Sequence, residues 1–328
     1  MKLLILGGTE FVGRAVAEAA LARGWDVTVF NRGRHAAPEG VTVRHGDRLA
    51  AGGLAALEDG EWDAVVDTWS AAPVAVRDAA RLLAGRVRHY AYVSSASVYA
   101  FPPTQRISET AALVEGSPDD ADADDYPRAK RGGELAAVEA FSDRALLVRA
   151  GLILGPYENI GRLPWWLTRI ARGGPVLAPG PRDLALQYID ARDLAEWILD
   201  AVRDGRSGGY NLVSEPGHAT MGELLESCVR VTGASAELRW TAPEDVLAAG
   251  IAPWTELPIW LPQGGPECEA LYGGDVGKAL AAGLRCRPVA ETVADTWEWL
   301  RSIGGVAPLR PDRPAVGLPE EKEAAALG

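Results

Sequence analysis

Residues 2–13 read KLLILGGTEFVG: a short apolar run, a pair of glycines and the start of a helical pattern. Lys2–Leu6 has the length and composition of a buried strand, and Phe11–Arg23 carries Phe11, Ala15, Ala19 and Ala22 at helical spacing. A strand, a glycine turn and a helix in that order bring free backbone N–H groups and the positive end of a helix dipole to one point, which suits a pyrophosphate. Gly7 and Gly8 supply the turn and Gly13 the close helix approach, with Thr9, Glu10, Phe11 and Val12 completing the loop. Glu10 stands where another glycine would admit the phosphates. A carboxylate there repels them unless it turns to solvent or toward the helix dipole.

The same strand-then-helix rhythm continues along the chain. Asp26–Phe30, Val41–His45, Ala64–Asp67, His89–Ser94 and Ala145–Arg149 read as strands, with helices expected near Leu54–Leu57, around Val74–Leu83 and over Tyr126–Phe141. Such alternation predicts an α/β fold with a doubly wound parallel sheet covered on both faces, and a ligand at the carboxyl ends of its strands. Beyond Gly155 the chain is richer in Pro, Gly and Trp, with a return to strand and helix at Leu186–Ile189 and Ala191–Val202. The expected organisation is a dinucleotide-binding domain over 1–155 and a smaller, partly interleaved substrate lobe over 156–304. Residues 186–204 would return to the first sheet, and 305–328 would form a tail with a short helix.

The 328 residues are 48% hydrophobic and 24% charged, an ordinary globular balance with enough chain for a large core. A net charge of −12 opposes long-range attraction to nucleic acid or anionic lipid. The apolar start meets Gly7 too soon for a signal-peptide core, and no apolar run is long enough for a membrane span, so a cytoplasmic protein with no membrane partner is expected. Cys228, Cys268 and Cys286 are too far apart for a zinc site or a disulfide framework, and no metal is expected.

Two more stretches carry chemistry. VSSASVY (93–99) ends the fifth strand in serines, and YPRAK (126–130) puts Tyr126 and Lys130 four residues apart, on one face of a helix. An ammonium beside a phenol favours the phenolate, so Tyr126 could exchange a proton with a substrate hydroxyl or carbonyl while Ser95 holds the same oxygen.

With these motifs in the order GGTEFVG, HGD (45–47), VSSASVY, YPRAK with Glu134 four residues on, VRAGLILGPY (148–157) and QYIDARDLA (187–195), the sequence resembles the short-chain dehydrogenase/reductase superfamily. It is most similar to the extended and atypical members, the NAD-dependent epimerase/dehydratase-like proteins, and the likeness covers most of the chain. The resemblance implies a Rossmann fold and a catalytic set of Ser95, Tyr126 and Lys130, with Lys130 also on the nicotinamide ribose. It further implies Asp47 beside the adenine, Leu152–Leu154 near the nicotinamide, and the loop from Gly155 opening the substrate site. Two departures stand out: Glu10, and Asp67-Thr68-Trp69-Ser70 where extended members usually show small apolar residues. Atypical relatives with a similar glycine turn, such as the chloroplast stem-loop RNA-binding proteins, lack the catalytic tyrosine, which this chain keeps.

The second strand runs into Phe30-Asn31-Arg32-Gly33-Arg34. An NAD site places a carboxylate there for the ribose 2′-hydroxyl, whereas arginine suits a 2′-phosphate, so Arg32 and Arg34 favour NADP over NAD. Asn31, Arg48 and Thr68 are further candidate cofactor contacts, and Ser97, Tyr157, Trp165 and Tyr188 are candidate substrate contacts. Sugar-nucleotide dehydratases of this family usually carry an acidic residue just after the catalytic serine; Ala96 and Ser97 stand there, which disfavours dehydration. The resulting expectation is an NADP(H)-dependent oxidoreductase acting on a carbonyl or secondary alcohol of a small metabolite, with a homodimer as a possible assembly. An NDP-sugar epimerase and a non-catalytic nucleotide- or RNA-binding scaffold are the alternatives.

Overall fold

The computed structural model describes residues 1–328. In chain order it begins with β1 (Lys2–Leu6), α1 (Phe11–Ala22), β2 (Asp26–Asn31), β3 (Thr42–His45), β4 (Trp62–Asp67), α2 (Pro73–Leu83), β5 (Val87–Ser95), α3 (Tyr126–Phe141) and β6 (Ala145–Ala150). β7 (Leu152–Leu154), α4 (Arg162–Ala171), β8 (Gly174–Pro179), β9 (Ala185–Leu186) and β10 (Tyr188–Asp190) follow, then α5 (Ala191–Arg203) and β11 (Gly208–Leu212). The chain divides into two units, one of residues 1–151, 191–213 and 275–285, the other of 152–190, 214–274 and 286–328.

The first unit is built on a seven-stranded sheet in the order β11-β6-β5-β4-β1-β2-β3, with every pairing parallel. Parallel strands require helical crossovers, and these cover the faces, which is why β1, β4 and β6 read as nearly unbroken apolar runs. Leu4, Leu6, Val65, Tyr90 and Leu147 from the sheet pack with Val76, Ala80 and Phe141 from α2 and α3. Each fully buried Leu, Val or Phe among them contributes about 1.5–3 kcal/mol. The strand order turns at β1, with β2 and β3 to one side and β4 and β5 to the other, so the carboxyl end of β1 is the switch point where such sheets bind ligands.

Three local readings of the sequence change. The helix expected near Leu54–Leu57 is a single 3₁₀ turn, Ala55–Leu57. The strand expected over Leu186–Ile189 is broken at Gln187, whose buried amide bonds the Ser214 and Gly274 carbonyls and the Gly274 N–H. The segment divides there because its halves join different sheets: Ala185–Leu186 pairs antiparallel with Ala219–Thr220, and Tyr188–Asp190 pairs in parallel with β7. β11 adds an edge strand that the apolar pattern does not predict; a Cβ on Gly209 would lie 3.2 Å from the Arg149 guanidinium carbon, so that cation is accommodated by a bare backbone.

In the second unit β10 pairs in parallel with β7, and β8 pairs with the strand Ala236–Thr241. Its core holds Trp166, Trp260, Leu177, Tyr188, Leu224 and Val293. The helix Met221–Thr232 opens on a reciprocal cap between Thr220 and Glu223 and ends at Gly233 in the left-handed region. The final helix, Glu320–Leu327, is tied down by buried Glu323, which accepts from Arg169 Nε at 2.5 Å and Leu177 N at 3.0 Å. No helix is long and apolar enough to cross a membrane.

Candidate cofactor and catalytic site

The turn after β1 is shaped for bare backbone. Gly7 and Gly8 have φ of +120° and +90°, and a Cβ on Gly13 would lie 2.6 Å from the Gly8 nitrogen. Only glycine meets both demands, and the outcome is a helix N-terminus brought against the turn with its first N–H groups available to an anion. Phe11, the first residue of α1, has φ of +35°, a strained value of the kind found at ligand turns. Glu10 is the N-cap but makes no side-chain cap hydrogen bond; its exposed carboxylate lies 3.6 Å from His35 Nε2, on the loop after β2. Backbone groups thus dominate the cradle, and it fits a diphosphate. Thr9 is half-buried and Val12 buried within the same turn.

Arg32, Arg34, His45, Gly46 and Asp47 line one depression at the carboxyl ends of β2 and β3. Asn31 Oδ1 accepts the Gly33 N–H at 2.7 Å, while its Nδ2 is buried with no partner. Arg48 points elsewhere. Its guanidinium makes a two-pronged contact with Asp67, at 2.7 and 2.8 Å, and a third bond to the Ala75 carbonyl. Burial alone would lower the Arg48 pKa, but the Asp67 charge and hydrogen bonds more than offset this and leave it raised.

The catalytic candidates come from β5 and α3. Asp125 caps α3 through the Arg128 N–H, which fixes half-buried Tyr126 at the first helical position and Lys130 one turn on. Lys130 is only 3% exposed; its Nζ donates to the Val93 carbonyl at 2.7 Å and the Trp69 carbonyl at 2.8 Å and lies 4.9 Å from the Tyr92 ring centre. Val93 is two residues before Ser95, so this bond fastens the lysine to the strand that presents the serine. Ser95 Oγ accepts the Ser97 N–H and donates to Ser97 Oγ, both at 3.1 Å. Behind them Glu134 receives Ser94 Oγ at 2.8 Å and Arg149 at 2.8 and 3.1 Å, clamping α3 to β5 and β6. The two carbonyls that hold Lys130 were not readable as site groups, because every residue has a carbonyl and only tertiary contact selects these.

The remaining candidates lie in the second unit. Leu152 is buried in β7 opposite Tyr188. Tyr157 is half-buried, with φ of +66° and its ring 5.5 Å from that of Trp299. Trp165 is half-buried and set edge-on to Trp166, whereas Tyr188 is buried in the core against His218. Glu158 is a buried carboxylate that sequence reading missed, accepting the Arg162 and Leu163 N–H groups at 2.7 and 3.1 Å. Burial pushes its pKa up to about 7, against the pull of the Arg162 charge and those two N–H groups.

A glycine cradle at the switch point of a parallel sheet defines a dinucleotide-binding α/β protein. Residues 3–213 match the NAD dependent epimerase/dehydratase family, and the chain belongs to it. It is accordingly an NAD-dependent enzyme of the short-chain dehydrogenase/reductase type. Among curated proteins, none matches the chain's sequence at significance. Solved structures share its fold. The Bordetella bronchiseptica enzyme WbmH, in complex with NAD+, is 19% identical with a TM-score of 0.71 over 93% of this chain and 99% of that one. The Thermus thermophilus UDP-glucose 4-epimerase, in complex with NAD, is 20% identical at 0.64 over 93% and 100%. The Bacillus cereus UDP-glucuronic acid 4-epimerase, in complex with NAD, is 15% identical at 0.64 over 92% and 99%.

Proposed function

We propose that the chain catalyses hydride transfer at a secondary-alcohol or carbonyl carbon of a small polar metabolite, with Tyr126 as the proton-exchanging group. The anchoring of Lys130 on the Val93 and Trp69 carbonyls is the observation that carries this reading, because it commits a buried cation to a fixed place one helical turn from Tyr126. NAD, when bound, supplies the hydride acceptor or donor. Tyr126 gives or takes the proton of the substrate oxygen, Ser95 holds that oxygen, and Lys130 carries a donor for the ribose. The glycine turn and α1 N-terminus would hold the diphosphate.

The NADP preference inferred from Arg32 and Arg34 finds no support among the similar structures, three of which hold NAD, and NAD is the better assignment. Both arginines are exposed, so the choice is open to direct measurement. Equal calorimetric affinities for NADH and NADPH, or tighter NADH, fit the NAD assignment; tighter NADPH that is lost in Arg32→Ala would restore NADP.

A second reading, epimerisation of a nucleotide sugar, is favoured by the family match and by the epimerases that share the fold. The two differ in cofactor balance. An epimerase returns its cofactor to the starting state in each turnover, whereas a dehydrogenase accumulates the reduced or oxidised form. For either, Tyr126→Phe should lower turnover ~10²-fold or more while leaving NAD+ affinity nearly intact. Full activity of that variant on the true substrate sinks the catalytic assignment.

A further inference from the structure

The loop that departs most from the family pattern, Asp67-Thr68-Trp69-Ser70, touches both halves of the cofactor site. Thr68 Oγ1 donates to the Leu6 carbonyl at 2.9 Å and sits so close under the glycine turn that a Cβ on Gly7 would lie 2.3 Å from it. One residue on, the Trp69 carbonyl receives the Lys130 ammonium at 2.8 Å. With β2 and β3 on one side of β1 and β4 and β5 on the other, a dinucleotide held at the β1 turn would have the Arg32–Asp47 depression available to one half and Lys130 to the other.

Asp67 and Arg48 fix this loop. Asp67 is fully buried and Arg48 is 8% exposed. Besides the two-pronged bridge, Asp67 accepts the Trp69 N–H at 2.9 Å and the Tyr90 hydroxyl at 2.5 Å. The Arg48 guanidinium lies 5.0 Å from the Trp69 ring centre, and the indole N–H is tied to the Ala72 carbonyl. Arg48 itself follows Asp47, a lining residue of the depression. A buried ion pair is a poor source of net stability, since desolvation consumes most of its attraction. A two-pronged guanidinium–carboxylate contact does fix distance and orientation.

We propose that the Arg48–Asp67 bridge is a positioning element of the cofactor site, holding the adenosine-side depression, the glycine turn and the Lys130 anchor in one register so that both halves of a dinucleotide are bound at once. Neither side chain touches the cofactor in this scheme; both act through Thr68 and Trp69.

The test compares NAD+ with AMP, which carries only the adenosine half. In calorimetry on the full chain, Arg48→Lys, which keeps the charge but loses the fork, and Asp67→Asn should each weaken NAD+ by roughly ten- to a hundredfold while changing AMP by less than about threefold, the size of one or two charge-assisted bonds. NAD+ affinity within threefold of wild type in a folded Arg48→Lys overturns the proposal, as does a parallel fall of NAD+ and AMP, which would mark a general structural role. Should both variants fail to fold, amide hydrogen exchange on the wild type decides: NAD+ should slow exchange at Thr68–Ser70 and AMP should not, and equal slowing by both, or none by NAD+, refutes the register role. Loss of the proposed Tyr126 chemistry would leave these binding measurements unaffected, so the two readings stand or fall separately.

Discussion

Asp67 in the first unit and Glu158 in the second are both buried carboxylates with no exposed surface, yet they are solvated by opposite means. Asp67 meets a guanidinium face to face, a phenol and a backbone N–H. Glu158 has two backbone N–H groups at the start of α4, and burial raises its pKa to about 7. A charge removed from water is stabilised either by a partner charge in excellent geometry or by retaining its proton. The first solution yields a rigid joint and the second a group whose proton is exchangeable near neutrality.

Removing one partner of the rigid joint should have the largest effect. Arg48→Met leaves the Asp67 charge buried without its cation, and an expected cost of about 3–5 kcal/mol should appear as a lowered denaturation midpoint. A loss under 1 kcal/mol in urea unfolding would mean that Asp67 had found another solution, and the contrast with Glu158 would collapse.

Glu158 should reveal itself through pH. Its folded pKa of about 7 lies above the ordinary 4.5, so the folded state holds a proton that the unfolded chain has released. The stabilisation is therefore complete below about pH 4.5 and is lost as pH rises through about 7, by up to roughly 3 kcal/mol at 1.36 kcal/mol per unit. Glu158→Gln should flatten that part of the stability profile between those limits, read as the difference between the two proteins in matched urea melts. A constant difference across that range would show that Glu158 stays ionised.

Glu10 is an exposed carboxylate, and the smallest change belongs to it. It lies at the N-cap rather than within α1, so glycine there forfeits no helix-interior propensity. Glu10→Gly should lower apo stability only by the dipole contribution of ~0.3–1 kcal/mol and should tighten NAD+ by a similar amount through removal of a negative charge beside the diphosphate. Weaker NAD+ binding would instead assign Glu10, with His35, a favourable part in ordering the loop.

Much of the architecture was legible because local signals agreed: β1, α1 and α3 begin where glycine, apolar spacing and YPRAK placed them. The candidate residues were legible one at a time, as residue types after a strand or on a helix face. Their couplings were not. Arg48 and Thr68 read as contacts for a cofactor, yet Arg48 turns inward to Asp67 and Thr68 supports the turn from beneath. Tyr188 read as a possible substrate wall, yet it packs in the core of the second unit.

A parallel α/β sheet with a glycine cradle, and a tyrosine and lysine on one helix face, follow from the residues alone, because they rest on backbone periodicity and local sterics. Where the buried charges go depends on the folded packing. Pairing Arg48 with Asp67, Glu134 with Arg149, and Lys130 with the carbonyls of Trp69 and Val93 joins strands and helices far apart in the chain. The energy that selects those partners arises from desolvation, which acts only once the chain has closed around them.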